Sequence, residues 1–190
     1  FMTRAKKEDK PFFIWWNSTR MHIFTHLKSS SKNKTGLGIY ADGMVEHDAH
    51  VGQVLDKLKE LGLDENTIIV YTSDNGAETF TWPDGGTTMF RGEKNTNWEG
   101  GYRVPTMMKW PGVIKPGTVI NEIGAHEDFL TTFVAAAGNT KAKEQLKKGS
   151  KIGSKSYKVH LDGYDLGPAL KGQSPWPRKD FIYWTDDGSV

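Results

Sequence analysis

The sequence predicts an α/β fold, and three observations lead to that reading. Residues 40–61 place Tyr40, Met44, Val51, Val54, Leu55, Leu58 and Leu61 at helical spacing on one broad face, with Gly62 suited to the C-cap. TIIVYT (67–72) follows at once, a β-branched run with little polar alternation, as in strands covered on both faces of a parallel sheet. PFFIWWNS (11–18) is a second continuous apolar run closed by polar residues, and it reads as a buried strand. Helix and strand in succession argue for helices packed on a mixed, mostly parallel sheet.

The remaining elements follow in order. Residues 20–38 carry Arg20, His22, His26 and the stretch SSSKNKTGLG, and are expected to form a mobile loop. Residues 73–103 are Gly-rich, with few apolar residues apart from aromatics, and a loop of that length in a compact domain is usually functional or disordered. RVPTMMKWPG (103–112) reads as a strand between two prolines. Residues 127–137 form a short apolar helix, with His126 and Asp128 at its start and Gly138 as its stop. Residues 139–160 are Lys-rich and read as a solvated excursion, and FIYWT (181–185) reads as a last strand. The opening FMTRAKKEDK runs directly into a strand-like segment, so the chain reads as the middle of a longer protein.

Composition narrows the function classes. With 25 basic and 23 acidic residues the net charge is only +2, which gives no reason to expect nucleic acid as a partner. No stretch approaches the roughly 18 apolar residues of a membrane span. Cysteine is absent, so there is neither a disulfide framework nor a thiolate metal site, and compartment stays open.

Three segments hold the residues suited to chemistry. In open α/β sheets ligands bind beyond the carboxyl ends of the strands, and YTSDNGAE (71–78) stands at such an end. Asp74 and Asn75 offer a carboxylate and an amide oxygen, a donor set for Ca²⁺ or Mg²⁺, although calcium takes about six to eight oxygens. Asp-Asn-Gly is also ordinary turn chemistry. RGEKNTNWEGGYRVP (91–105) interleaves Lys94, two Arg and two Glu with three Gly. Lysine is a compact point charge suited to an oxyanion, and Gly100-Gly101 permits close backbone approach. NSTRMHIFTHL (17–27) places His22 and His26 beyond the first apolar run, where a histidine can bind an oxyanion or act as an acid near neutral pH. Asp48 and His50 read as exposed, His160 and Asp162 have no assigned role, and Asn17 and Asn33 head glycosylation sequons.

Taken in order, PFFIWWNSTRMH, TIIVYTSDNGAE, RGEKNTNWEGGYRVPTMMKWPG and DGYDLGPALKG resemble the sulfatase family, arylsulfatases in particular, within the alkaline-phosphatase-like superfamily. The resemblance covers nearly the whole chain. It implies one partial catalytic domain over residues 1–190, part of an alkaline-phosphatase-like sandwich. It implies that Asp74 and Asn75 are two ligands of a single divalent cation, usually calcium. It implies that His22 and Lys94 contact the sulfate as substrate-binding and catalytic groups, with Glu99, Gly100, Gly101 and Arg103 shaping the Lys94 loop. Relatives commonly follow this lysine with Gly-Thr, whereas Asn95-Thr96 stand here.

The family's nucleophile is a formylglycine made from Cys or Ser in C/S-x-P-x-R, and these 190 residues lack it. SPWPR (174–178) has Trp176 where the motif needs proline and lies far downstream of the family position. The expected function is therefore sulfuric ester hydrolysis by the parent enzyme, with this chain inactive alone. The expected substrate is a sulfate-ester small molecule or a sulfated glycan, and relatives are often periplasmic, secreted or lysosomal. A phosphoester or phosphonate hydrolase of the same superfamily is one rival, and a non-catalytic anion-binding or interaction module is another. Self-association, or pairing with the missing segment, is expected to cover exposed sheet edges.

Overall fold

The computed structural model describes residues 1–185 and Gly188, which fall into two compact units. The first comprises residues 1–108 with the segment beginning at Tyr183, and the second residues 109–182. No helix among the described residues is long and apolar enough to cross a membrane.

The first unit is built around α2 (Ile39–Glu60), preceded by α1 (Met2–Lys7) and followed by β1 (Ile69–Thr72), α3 (Glu99–Tyr102) and β2 (Thr106–Lys109). β1 and β2 form a two-stranded sheet, with the Thr72 and Thr106 hydroxyls 3.1 Å apart. The helix matches its predicted span within a residue, yet its buried face is not the apolar stripe. Leu58 is buried, Tyr40, Met44, Val51, Val54 and Leu61 are half-buried, and Leu55 is exposed. Buried beside Leu58 are Asp42, Gly43 and Glu46.

Those carboxylates hold the loop that the sequence suggested was mobile. Asp42 accepts the backbone N–H groups of Asn33, Lys34 and Thr35 at 2.6–3.0 Å and the Thr35 hydroxyl at 2.9 Å. Hydrogen bonds from Thr35, then from Asn33 and Lys34, outweigh burial and keep its carboxyl below the usual range. Glu46 takes Arg20 through Nε and Nη2 at 2.9 and 2.6 Å and the Ser31 hydroxyl at 2.9 Å. Four local donors for one aspartate, and an arginine plus a hydroxyl for one glutamate, are what buried carboxylates require.

Two expected strands are not formed. Residues 11–16 make no ladder, and Phe13, Ile14, Trp15 and Trp16 are 65%, 44%, 80% and 45% exposed. Residues 181–185 form no strand either. An apolar run becomes a strand only beside sheet neighbours, and the described strands pair among themselves.

The second unit contains α4 (His126–Ala136), α5 (Ala142–Lys148), the antiparallel hairpin β3 (Ser150–Ile152) and β4 (Lys155–Tyr157), and α6 (Gly167–Leu170). The Lys-rich excursion is thus exposed as expected, but ordered into a helix and a hairpin. Asp128, fully buried in the first turn of α4, is the anchor of this unit. Its Oδ2 accepts the Ala125 N–H at 3.0 Å, and its Oδ1 accepts the Tyr164 N–H at 2.7 Å. Arg178 donates Nε to Oδ2 at 2.8 Å and Nη2 to Oδ1 at 2.7 Å, a bidentate pair. One turn later Thr132 accepts the Leu166 N–H at 2.9 Å, tying GYDLGPAL to α4.

Burial opposes ionisation of Asp128, but the hydrogen bonds from Arg178, Tyr164 and Ala125 prevail and its carboxyl titrates below the ordinary range. The stability it contributes is complete above the unfolded carboxylate pKa of about 3.9 and is lost as pH falls through the lower native value. We expect Arg178→Met to destabilise the chain by about 3–5 kcal/mol by leaving a buried charge unpaired. Asp128→Asn is expected to remove this contribution to the acid limb. Urea unfolding across pH 3–7 checks both, and wild-type stability in Arg178→Met would contradict the anchor role.

Candidate functional site

β1 ends at Thr72, and the chain turns through Ser73-Asp74-Asn75-Gly76. Asp74 Oδ1 accepts the N–H of the next residue, Asn75, at 3.0 Å, which leaves Oδ2 available. The Asn75 amide donates Nδ2 to the Gly76 carbonyl at 2.8 Å, so its Oδ1 is the oxygen left to accept. Asp74 is exposed and Asn75 half-buried.

This turn is pressed against the 91–103 loop, backbone to backbone. Gly76 N–H donates to Gly101 O at 2.9 Å, Lys94 N–H to Ala77 O at 2.8 Å, and Gly100 N–H to Arg91 O at 2.6 Å. A Cβ at Gly76 would overlap the Gly100 carbonyl, one at Gly100 the Gly92 carbonyl, and one at Gly101 the Thr96 carbonyl. Only glycine fits these contacts. Glu93 reaches back across the same seam, accepting the N–H groups of Thr79 at 2.8 Å and Phe80 at 3.2 Å and the Thr79 hydroxyl. The Thr79 hydroxyl bond, with the two amides, outweighs burial and holds the Glu93 carboxyl below its usual range.

Lys94 therefore lies beside the Asp74-Asn75 turn by construction. Its Nζ pairs with Glu78 at 3.5 Å, with 20% and 13% of the two side chains exposed. Asn95 follows at φ +67°, in the left-handed region, where asparagine is among the few non-glycine residues tolerated. Asparagine at position 95 is therefore compatible with this turn. Thr96 closes the turn, its hydroxyl donating to Glu93 O at 2.7 Å. Glu99 and Arg103 form an ion pair along α3, Arg103 lies 4.1 Å from the Phe90 ring centroid, and Arg91 lies 3.7 Å from that of Trp98.

His22 is exposed, on a segment held by its backbone. Its N–H and C=O both bond the Thr25 hydroxyl, at 3.2 and 2.8 Å, and its C=O also accepts Trp82 Nε1–H at 3.3 Å. Trp82 belongs to the loop that starts at Asp74, so the His22 segment meets that loop through this bond. The carboxylate and amide oxygens of Asp74 and Asn75 are the right type for a hard cation, but they are only two. Among the described residues no group of three or more His, Cys, Asp or Glu is placed to hold a metal ion.

Residues that sequence reading passed over hold the site from behind. His47, on α2, lies 3.1 Å by Nδ1 from the Ser18 hydroxyl and 3.2 Å by Nε2 from the Tyr71 hydroxyl. It links β1 to the segment that leads to His22. Burial, with His50 adding to it, pushes the His47 pKa below its ordinary value and favours the neutral ring that such a chain needs. SPWPR has a structural use instead of a catalytic one, since Arg178 is committed to Asp128 and Trp176 Nε1–H donates to Ile123 O at 2.6 Å.

The family model described as Sulfatase matches residues 1–139. The chain is 34% identical over 184 residues to arylsulfatase A of Homo sapiens, covering 96% of this chain and 33% of that protein. It is 31% identical over 188 residues to N-acetylgalactosamine-6-sulfatase of Canis lupus familiaris, covering 98% and 33%. The crystal structure of PsFucS1 sulfatase from Pseudoalteromonas sp. superposes with a TM-score of 0.77 at 32% identity, over 91% of this chain and 33% of that one. The chain thus spans about a third of the length of the curated relatives it matches.

The glycine contacts make a direct prediction. Gly76→Ala is expected to cost about 1–3 kcal/mol by overpacking and to speed amide exchange at Gly76 and Lys94. Gly86→Ala, where a Cβ meets nothing within 4 Å, is expected to leave both unchanged. Hydrogen exchange read by NMR distinguishes the two, and equal behaviour of the variants would contradict the seam.

Proposed function

The chain belongs to the sulfatase family, and on that premise we propose that the complete enzyme hydrolyses sulfate esters of the arylsulfatase type. The observation that carries the reading is the backbone seam that sets Lys94 beside the Asp74-Asn75 turn. Asp74 and Asn75 supply two oxygen ligands to a Ca²⁺ or Mg²⁺ ion, whose remaining ligands lie outside these residues. When bound, that ion draws negative charge from the sulfuryl oxygens.

Lys94 binds the sulfate as a point charge, exchanging its Glu78 partner for the incoming oxyanion. The 3.5 Å contact is longer than the 2.6 and 2.7 Å pairs that commit Arg20 and Arg178, so Lys94 is the less tightly held cation. His22 is exposed on a segment fixed by its own backbone and by Trp82, and contacts the same sulfate. The formylglycine nucleophile has no counterpart in these 190 residues, so the isolated chain has nothing to attack with. In the complete domain, 69–72 is one strand of a mixed, mostly parallel sheet.

The exposed aromatics support a second property of the isolated chain. Trp15, Phe24 and Trp184 are 80%, 82% and 63% exposed, far more apolar surface than a lone soluble unit carries at rest. We propose that the chain covers this surface by self-association or by pairing with the rest of the domain.

Two measurements test these readings. The purified 190-residue chain is expected to give no turnover of an aryl sulfate, whereas the complete enzyme turns over and loses about 10²–10³-fold in kcat/KM in Lys94→Ala. An unchanged kcat/KM in that variant sinks the assignment of Lys94. Sedimentation velocity is expected to show the isolated chain as dimers or larger, with Trp15→Ser and Phe24→Ser shifting it toward monomer. A monodisperse wild-type monomer contradicts self-association.

A further inference from the structure

The strongest charge feature of the chain lies in the second unit. Residues 141–158 contain seven lysines and one acidic residue, Glu144, with no arginine. Lys143 is engaged, donating Nζ to Gly163 O at 2.8 Å and lying 5.1 Å from the Tyr164 ring centroid. Lys147 and Lys148, in the last turn of α5, and Lys151, Lys155 and Lys158, on the hairpin, are all exposed. Among the described residues none of these five meets an acidic partner.

These charges are not on a floppy tail. The Val159 N–H donates to Leu146 O at 3.1 Å, pinning the exit of β4 onto α5. Lys151 stands opposite Ser156 in the ladder, on one face of the hairpin, and Lys158 follows directly after β4. That face borders an open concavity of about 330 Å³ lined by Gly149, Ser150, Lys151, Ser156, Tyr157 and Lys158. Unpaired like charges held close on a fixed surface repel one another, and an anion with several charges relieves them all at once.

We propose that the β3–β4 hairpin and the end of α5 form a binding surface for a sulfated polysaccharide, separate from the Asp74–Lys94 loops. The polymer's identity rests on the sulfate-ester reading above, since a chain bearing many such esters is both a polyanion and a substrate. The surface chemistry suits it: lysines bind sulfate as point charges, and hydroxyls of Ser150, Ser156 and the 40%-exposed Tyr157 face sugar hydroxyls. A single aromatic and no arginine is a poor platform for nucleic acid, which calls for stacked bases. The surface retains a polymer near the enzyme by several weak contacts.

The test uses the 190-residue chain and needs no turnover, so its failure is separate from failure of the hydrolase reading. Dextran sulfate is expected to bind, more weakly as salt rises, and unsulfated dextran is not. Replacing Lys151, Lys155 and Lys158 together by Gln is expected to weaken dextran sulfate binding roughly tenfold or more, while the triple Arg variant keeps it. Circular dichroism and melting of both variants are expected to match wild type, because the three side chains are exposed. Undiminished binding in the Gln variant overturns the proposal. So does single-stranded DNA binding as tightly as dextran sulfate at equal charge.

Discussion

Everything the candidate site offers depends on one contact, the approach of the Asp74-Asn75-Gly76 turn to Gly100-Gly101 at backbone distance. Two peptide planes meet there with no room for a side chain on either. Each hydrogen bond across the seam is worth only about 1 kcal/mol net, so its importance is geometric rather than energetic. The oxygens of Asp74 and Asn75 and the charge of Lys94 are set by the same short stretch of main chain.

Behind the seam, α2 does for the His22 segment what glycine does for the loops. Asp42, Glu46 and His47 fall at i, i+4 and i+5, close enough on a helix to act together. Asp42 collects the amides of 33–35, Glu46 ties down Arg20 and Ser31, and His47 joins Ser18 to Tyr71 at the end of β1. A helix chosen by its leucines and valines thus positions functional segments through its polar residues. Burying those groups is tolerable because each is satisfied by near neighbours.

Local pattern made the helices legible. Leucine and valine spacing marked α2, and the apolar run after Asp128 marked α4, each within about a residue of its ends. The site segments were legible because metal and oxyanion chemistry demands particular residue types beside glycine. Three things were not. Glu93 and His47 act through partners 13 to 29 positions away, and no spacing rule links them. Asp42 and Glu46 carry no local mark of burial, because charged residues on a helix are ordinarily exposed. Residues 11–16 carry every local mark of a strand, but a strand is completed by hydrogen bonds to a neighbour, and composition cannot supply one.

Two acid–base pairs show how geometry separates structural from exchangeable charge. Asp128 and Arg178 meet through two bonds of 2.7 and 2.8 Å, with 0% and 4% of their side chains exposed, and backbone amides fill the remaining acceptor positions. Removing Arg178 strands the Asp128 charge away from water, and Arg178 is held further by Glu127 at 2.9 Å, so neither is free to meet a ligand. Lys94 and Glu78 meet through one contact of 3.5 Å at the edge of solvent. Across this longer contact an incoming oxyanion can compete with Glu78 for Lys94. Arg178 belongs to the only segment here that resembles a nucleophile motif, SPWPR, yet it is the least available cation of the two pairs. Lys94, from an unremarkable charged loop, is the available one, because the glycine seam holds its backbone while leaving its side chain a weak partner.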